Sequence, residues 1–177
     1  MRTGGFYMFE IRALVLLMMA SLVATACGQP PPSVEQVETT APTLPSLGLD
    51  DTIATLEFRA GPGGTFEVVL QSPAGPSRTL RVIGTEWRLE GILADGEFSL
   101  DRISTRDASE YAEAYYFNSG YRWDLQPELH HDGRLLASSA YMPIADQARY
   151  SVRITQNGLI TRPLNASAAR ATQENWN

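Results

Sequence analysis

The chain has 177 residues, with 20 Asp or Glu against 14 basic residues and a formal net charge of −6. An acidic surface repels phosphate backbones and anionic head groups, so nucleic acid is excluded as a favoured partner. All of the basic residues are Arg, and the single cysteine, Cys27, excludes an internal disulfide framework.

Arg2 and Arg12 flank the start of the chain, and residues 13–23 read Ala-Leu-Val-Leu-Leu-Met-Met-Ala-Ser-Leu-Val. A basic start, an apolar centre of about 7 to 15 residues and a small-residue cleavage point make up a secretory signal. The apolar run is shorter than the roughly 20 residues that a bilayer-spanning helix needs. Residues 21–28 continue as Ser-Leu-Val-Ala-Thr-Ala-Cys-Gly. This run resembles the lipobox of bacterial lipoproteins, with Ala24 at the position where Leu is commonest. The resemblance implies a signal peptide at 1–26, a diacylglyceryl thioether on Cys27, cleavage before Cys27, and acylation of the new amino terminus. Two or more acyl chains hold a protein stably at a membrane. The same resemblance implies a lipid-anchored address in the bacterial cell envelope. Gly28 stands where Asp would retain such a protein in the inner membrane, which favours the periplasmic face of the outer membrane in a Gram-negative host. The alternative is an ordinary signal cut after Ala26, which leaves a free thiol in an oxidising compartment.

Residues 27–49 carry Pro30, Pro31, Pro32, Pro42 and Pro45 among Ser, Thr, Glu and Gln. Such a composition cannot bury enough apolar surface to order itself, and this segment is expected to be a flexible linker. At about 3.1 Å per residue it reaches up to roughly 60 Å. Residues 50–165 have the length of one domain with a modest core.

Alternation with period two dominates that domain. Phe66, Val68 and Leu70 share one face of a strand at 65–71, and Leu80 and Val82 one face of a strand at 78–83. Trp87 and Leu89 mark a third strand, and Phe98 and Leu100 begin a fourth. Turn residues separate them at Gly61-Pro62-Gly63-Gly64, at 72–76 and at Asp95-Gly96. Asp107 with Glu110 resembles a capping box before the helix formers of 108–117, and Asn118-Ser119-Gly120 would end that helix. Residues 150–155 and 159–162 flank Asn157-Gly158, a pair favoured in type I′ hairpin turns. Pro163 closes the second strand, and residues 166–177 are expected to be a frayed, disordered tail. The fold class is therefore mainly β, an antiparallel meander, sandwich or curled sheet with one short helix.

Residues able to carry chemistry are few. His130 and His131 lie in a Glu128-to-Asp132 cluster, but adjacent residues of a strand point to opposite faces, and Pro127 and Gly133 mark a loop. No Gly-x-Ser-x-Gly elbow is present, and Gly61 to Gly64 is read as a turn because no Lys-Ser or Lys-Thr follows it. A non-enzymatic protein is expected, with no metal and no cofactor beyond the lipid on Cys27. Tyr111, Tyr115, Tyr116, Tyr121 and Trp123, with Phe117, form a dense aromatic segment. Exposed in a groove, these rings would stack on a glycan or seat a partner's apolar anchor. Packed beneath the sheet, they would be core.

Residues 84–91 (Gly-Thr-Glu-Trp-Arg-Leu-Glu-Gly), 98–104 (Phe-Ser-Leu-Asp-Arg-Ile-Ser), 141–146 (Tyr-Met-Pro-Ile-Ala-Asp) with Tyr150, and 158–165 (Gly-Leu-Ile-Thr-Arg-Pro-Leu-Asn) also resemble a group of proteobacterial membrane-associated proteins. Some members of that group carry a multidrug efflux or transporter label. The resemblance implies envelope attachment, and for this chain at most an accessory role in transport. The expected function is thus a lipid-anchored envelope binding or accessory module for a protein complex or a glycan. The alternatives are a periplasmic hydrolase or metal-dependent enzyme, an accessory factor of an efflux system, and a lipid-anchored spacer without a specific ligand.

Overall fold

The computed structural model describes residues 43–109, 112–118 and 120–175. The signal segment, Cys27 and the linker through residue 42 lie outside the described residues, as do Glu110, Tyr111, Ser119, Trp176 and Asn177. β1 (Ser46–Leu47) falls inside the segment expected to be flexible. Leu47 is 1 % exposed, so the last part of that segment belongs to the core.

β2 (Thr52–Ala60) and β3 (Thr65–Ser72) are joined by Gly61 and a 3₁₀ turn, Pro62–Gly64, in which Gly63 and Gly64 adopt φ of 69° and 76°. Pro73 and Ala74 connect β3 to β4 (Gly75–Ile83). β5 (Glu86–Ala94) and β6 (Glu97–Arg106) make the next hairpin, which turns on Asp95 and Gly96 at φ of 51° and 78°. That pair of positive φ values is what a type I′ turn requires. Four short strands follow: β7 (Ala112–Tyr116), β8 (Arg122–Leu125), β9 (Leu135–Ser138) and β10 (Met142–Pro143). β11 (Arg149–Thr155), β12 (Gly158–Pro163) and α1 (Ala166–Asn175) complete the chain.

The strands form two sheets, one of them curled. One sheet has the order β12-β11-β2-β3-β4, antiparallel throughout. The other is built on the long β5–β6 pair. Two short strands share each outer edge of that pair: β8 and β7 lie along successive parts of β6, and β9 and β10 along β5. β1 then adds to β8 in parallel. The mainly β class is as the alternation indicated, and α1 is the one α-helix among the described residues.

The core fills the space between the sheets. Phe58 of β2, Trp87 of β5 and Tyr150 of β11 meet at centroid distances of 5.3 Å (Phe58–Trp87), 5.4 Å (Trp87–Tyr150) and 6.1 Å (Phe58–Tyr150). Each such pair contributes about 0.5–1.5 kcal/mol beyond the area it buries. The Tyr150 hydroxyl donates to the Pro143 carbonyl at 2.8 Å, which satisfies its one buried polar atom. Phe98 packs on Trp123 at 5.5 Å, and Phe117 meets Tyr121 edge-on at 5.7 Å.

Three local expectations are corrected. Residues 112–116 form a strand, not a helix. Asp107 accepts from the Ser109 backbone at 2.8 Å and from the Ser109 hydroxyl at 2.6 Å, so it closes an Asx turn rather than a capping box. The open edge of β6 then recruits the following residues, and ladder bonds override their helical propensity. The expected tail is instead the helix of the fold: Asn165 Oδ1 accepts from Ala168 N at 3.0 Å, an N-cap bond, and Ala168 is buried. The β11–β12 hairpin is present, but its two turn residues are Gln156 and Asn157, and Gly158, at φ 116°, begins β12. The Thr155 hydroxyl donates to the Gly158 carbonyl at 2.9 Å across the turn.

Gly91 lies where β5 passes over Phe98, and an added Cβ there would strike the Phe98 ring and come within 2.8 Å of the Ser99 carbonyl oxygen. The substitution Gly91→Ala is expected to cost about 1–3 kcal/mol, read as a lower denaturant midpoint with an unchanged slope. An unchanged midpoint would mean that the β5–β6 contact yields without cost.

Candidate functional site

Because Trp87 and Leu89 point inward, Glu86, Arg88 and Glu90 point to the outer face of β5. On β6 the residues opposite them are Arg106, Ser104 and Arg102. Cross-strand pairing therefore sets a charged ladder on that outer face.

Glu90 is at its centre, with a side chain 0 % exposed although it lies on the outward side. Arg102 Nε donates to Glu90 Oε2 at 2.6 Å, and the Ser104 hydroxyl donates to the same oxygen at 2.5 Å. Arg88 Nη2 lies 2.8 Å from Oε1 as an ion pair. Burial alone would raise the carboxyl's pKa. The bonds from Arg102 and Ser104, with the charges of Arg88 and Arg102, outweigh it and hold the group below the usual 4.5. Glu86 is likewise lowered, chiefly by its hydrogen bond from Arg106, and it also accepts from Asn175 Nδ2 at 2.9 Å. Tyr141 is covered by two guanidinium groups, Arg106 at 4.0 Å and Arg88 at 4.8 Å from the ring centroid.

The ladder ends at a cleft. Between Glu90 and Gly91 the β5–β6 register shifts by one residue, which leaves Asp101 without a partner on β5. Bulges of this kind redirect a side chain. At the same level the chain leaves β6's edge: Phe117 N donates to the Asp101 carbonyl at 2.8 Å, and Leu100 N to the Tyr121 carbonyl at 3.1 Å. The result is a cleft of about 280 Å³ lined by Ser99, Leu100, Asp101, Tyr116, Asn118 and Arg122. Tyr116 is 54 % exposed. Arg102 holds it, with its guanidinium 5.5 Å from the ring centroid and Nη1 donating to the hydroxyl at 3.4 Å. The same Nη1 donates to Asp101 Oδ2 at 3.2 Å, and Arg122 is ion-paired to Glu97.

Of the described aromatic residues expected to form a binding surface, only Tyr116 lines this cleft. Tyr115 is half-buried, its hydroxyl accepting from Ile83 N at 3.1 Å and donating to Glu113. Tyr121 and Trp123 are 0 % and 1 % exposed and belong to the core, the second of the two readings of the aromatic segment, so neither is a binding-surface group. The Tyr121 hydroxyl donates to the Pro76 carbonyl at 2.6 Å. Tyr111, like Cys27, lies outside the described residues. The His pair is exposed, with His130 Nε2 donating to the Leu125 carbonyl at 2.9 Å. His131 lines a separate hollow of about 160 Å³ beside the β11–β12 turn. Among the described residues, no group of three or more His, Cys, Asp or Glu is placed to hold a metal ion, and no helix is long and apolar enough to cross a membrane.

Arg88, Glu90, Arg102, Ser104 and Tyr141, and the cleft residues Ser99, Asp101, Asn118 and Arg122, escaped functional notice in the sequence. The signal for the ladder was the polar half of the alternation, Glu86-x-Arg88-x-Glu90 against Arg102-x-Ser104-x-Arg106, and it did not extend to Tyr141 or the cleft.

Carboxyls held below their ordinary pKa stabilise the fold fully above the usual glutamate range, and the contribution is lost as pH falls through and below it. The denaturation midpoint should therefore decline below about pH 4.5, and Glu90→Gln should flatten part of that decline. At pH 7 the same variant should lose about 3 kcal/mol, because it removes the buried charge with which both Arg88 and Arg102 pair. Equal acid sensitivity in the variant and the parent would place the titrating groups elsewhere.

No family model, no curated protein and no solved structure matches this chain.

Proposed function

We propose that this chain is a lipid-anchored lipoprotein of the bacterial cell envelope whose β domain is a non-enzymatic binding module for an envelope protein complex or glycan. The anchor half of this reading is supported by the sequence Ser21 to Gly28, with its lone cysteine directly after small residues. The binding half is carried by one observation: Tyr116 stands more than half exposed over a cleft whose two charged groups, Asp101 and Arg122, are already held by ion pairs. An exposed aromatic ring on a rigid strand, flanked by donors and acceptors, is the composition of a recognition site. An efflux-related role is compatible with it only as an accessory contact.

The two halves separate experimentally. In the native host, Cys27→Ser should abolish incorporation of labelled palmitate and move the protein out of the membrane fraction, with the circular dichroism of the β domain unchanged. Labelling that persists in the variant would disprove the anchor. A photo-crosslinking residue in place of Tyr116 should form adducts in cells, whereas one at exposed Thr43 should not; equal yields at the two sites would remove the cleft from the proposal.

A further inference from the structure

Resting on that reading of the cleft, we infer that its ligand is a neutral glycan, held by a single sugar ring against Tyr116. Size sets the first limit. A cleft of about 280 Å³ lies just below the range of about 300–1,000 Å³ typical of drug-sized ligands. It suits one ring or one side chain and not an extended cofactor.

The lining then separates a sugar from a protein anchor. Hot-spot pockets in protein interfaces are dry and apolar, because an aromatic or aliphatic anchor gains its energy from desolvation. Here the one aliphatic lining residue, Leu100, is only 2 % exposed, and apart from the Tyr116 ring the other lining residues are polar or charged. The remaining groups cover each hydrogen-bonding class. The Asp101 carboxylate only accepts, the Arg122 guanidinium only donates, and Ser99 and Asn118 do both. Adjacent hydroxyls on a pyranose each donate one bond and accept others, so such a mixed set matches them. The C–H face of the same ring is weakly positive and matches the negative face of the Tyr116 ring.

Charge and rigidity agree with this. Around the cleft, Asp101 is offset by Arg102 and Arg122 by Glu97. A balanced pair of this kind exerts no net pull on a polyanion, so a neutral glycan fits better than an acidic one. Arg102 fixes both Tyr116 and Asp101, and Glu90 in turn fixes Arg102. Side chains already immobilised lose little entropy when a ligand arrives, which allows a small contact area to bind measurably.

The test uses the full-length lipidated protein in detergent micelles. Titrations by saturation-transfer NMR employ an N-acetylglucosamine tetramer, maltotetraose, an oligogalacturonate and an uncharged tetrapeptide. At least one neutral oligosaccharide should bind, with the oligogalacturonate and the tetrapeptide weaker. Tyr116→Ala should weaken binding about tenfold, equivalent to ~1.4 kcal/mol, while Tyr116→Phe retains the ring face and most of the affinity. Tyr116→Phe should melt as the parent does and Tyr116→Ala only slightly lower, because the residue is more than half exposed and its ring contact is with Arg102. Absence of binding by both neutral sugars, or binding undiminished in Tyr116→Ala, overturns the inference. If the sugars fail while the crosslinker at position 116 captures an envelope protein in cells, the glycan assignment falls and the binding-module reading stands. If sugars and crosslinking both fail, both readings fall.

Discussion

The contact of Trp87 with Phe58 and Tyr150 fixes more than the interior. These three rings come from β5 of one sheet and from β2 and β11 of the other, so they determine which side of each strand faces its partner sheet. A strand has only two sides. Once Trp87 is committed inward, Glu86, Arg88 and Glu90 have nowhere to point but outward, and a slip of one residue would exchange a buried tryptophan for a row of charges. The register of the core thus writes the chemistry of the surface.

That surface is unusually closed for an outward face. Glu90 is sealed from water by the guanidinium groups that neutralise it, and these in turn lie against Tyr116 and Tyr141. Such an arrangement needs Arg. A planar, delocalised cation can bond to a carboxylate along its edge and stack on a ring with its face, whereas an ammonium cannot do both. The absence of Lys from the whole chain is consistent with base composition, but on this face the choice has a structural effect. The bulge at Asp101 interrupts the ladder where β7 gives way to β8, and the interruption opens the cleft.

The strands at 65–72, 78–83, 86–94 and 97–106 and the final hairpin were legible because apolar residues alternate within each. β2 was not: Ile53 and Ala54 are both buried, which breaks the alternation at its start. Residues 108–117 contain good helix formers, and only the unpaired edge of β6, a tertiary fact, decides that 112–116 are extended. Asn165 was a readable cap before an Ala-rich run, yet the polar composition of 166–177 hid it. The cleft could not be read at all, since it arises from a bulge in β6 and a strand exchange between residues 116 and 122. The aromatic segment did point to the right region. Half of it turned out to hold the sheet together, and the one exposed ring owes its place to Arg102.

β1, the first strand among the described residues, has a mechanical meaning. It is a two-residue strand whose ladder bonds to β8 include Asp124 N to Pro45 O at 3.0 Å and Gln126 N to Leu47 O at 2.9 Å, with Leu47 as a plug in the core. Behind it, Asp50 and Asp51 exchange backbone bonds with Ile154 at 2.9 Å and 3.1 Å. A pull on the chain upstream of residue 43 would therefore load β1 first and shear it from the sheet, drawing Leu47 out, before tension reached β2. The short strand acts as a fuse: it yields to force at the edge and spares the five-stranded sheet behind it.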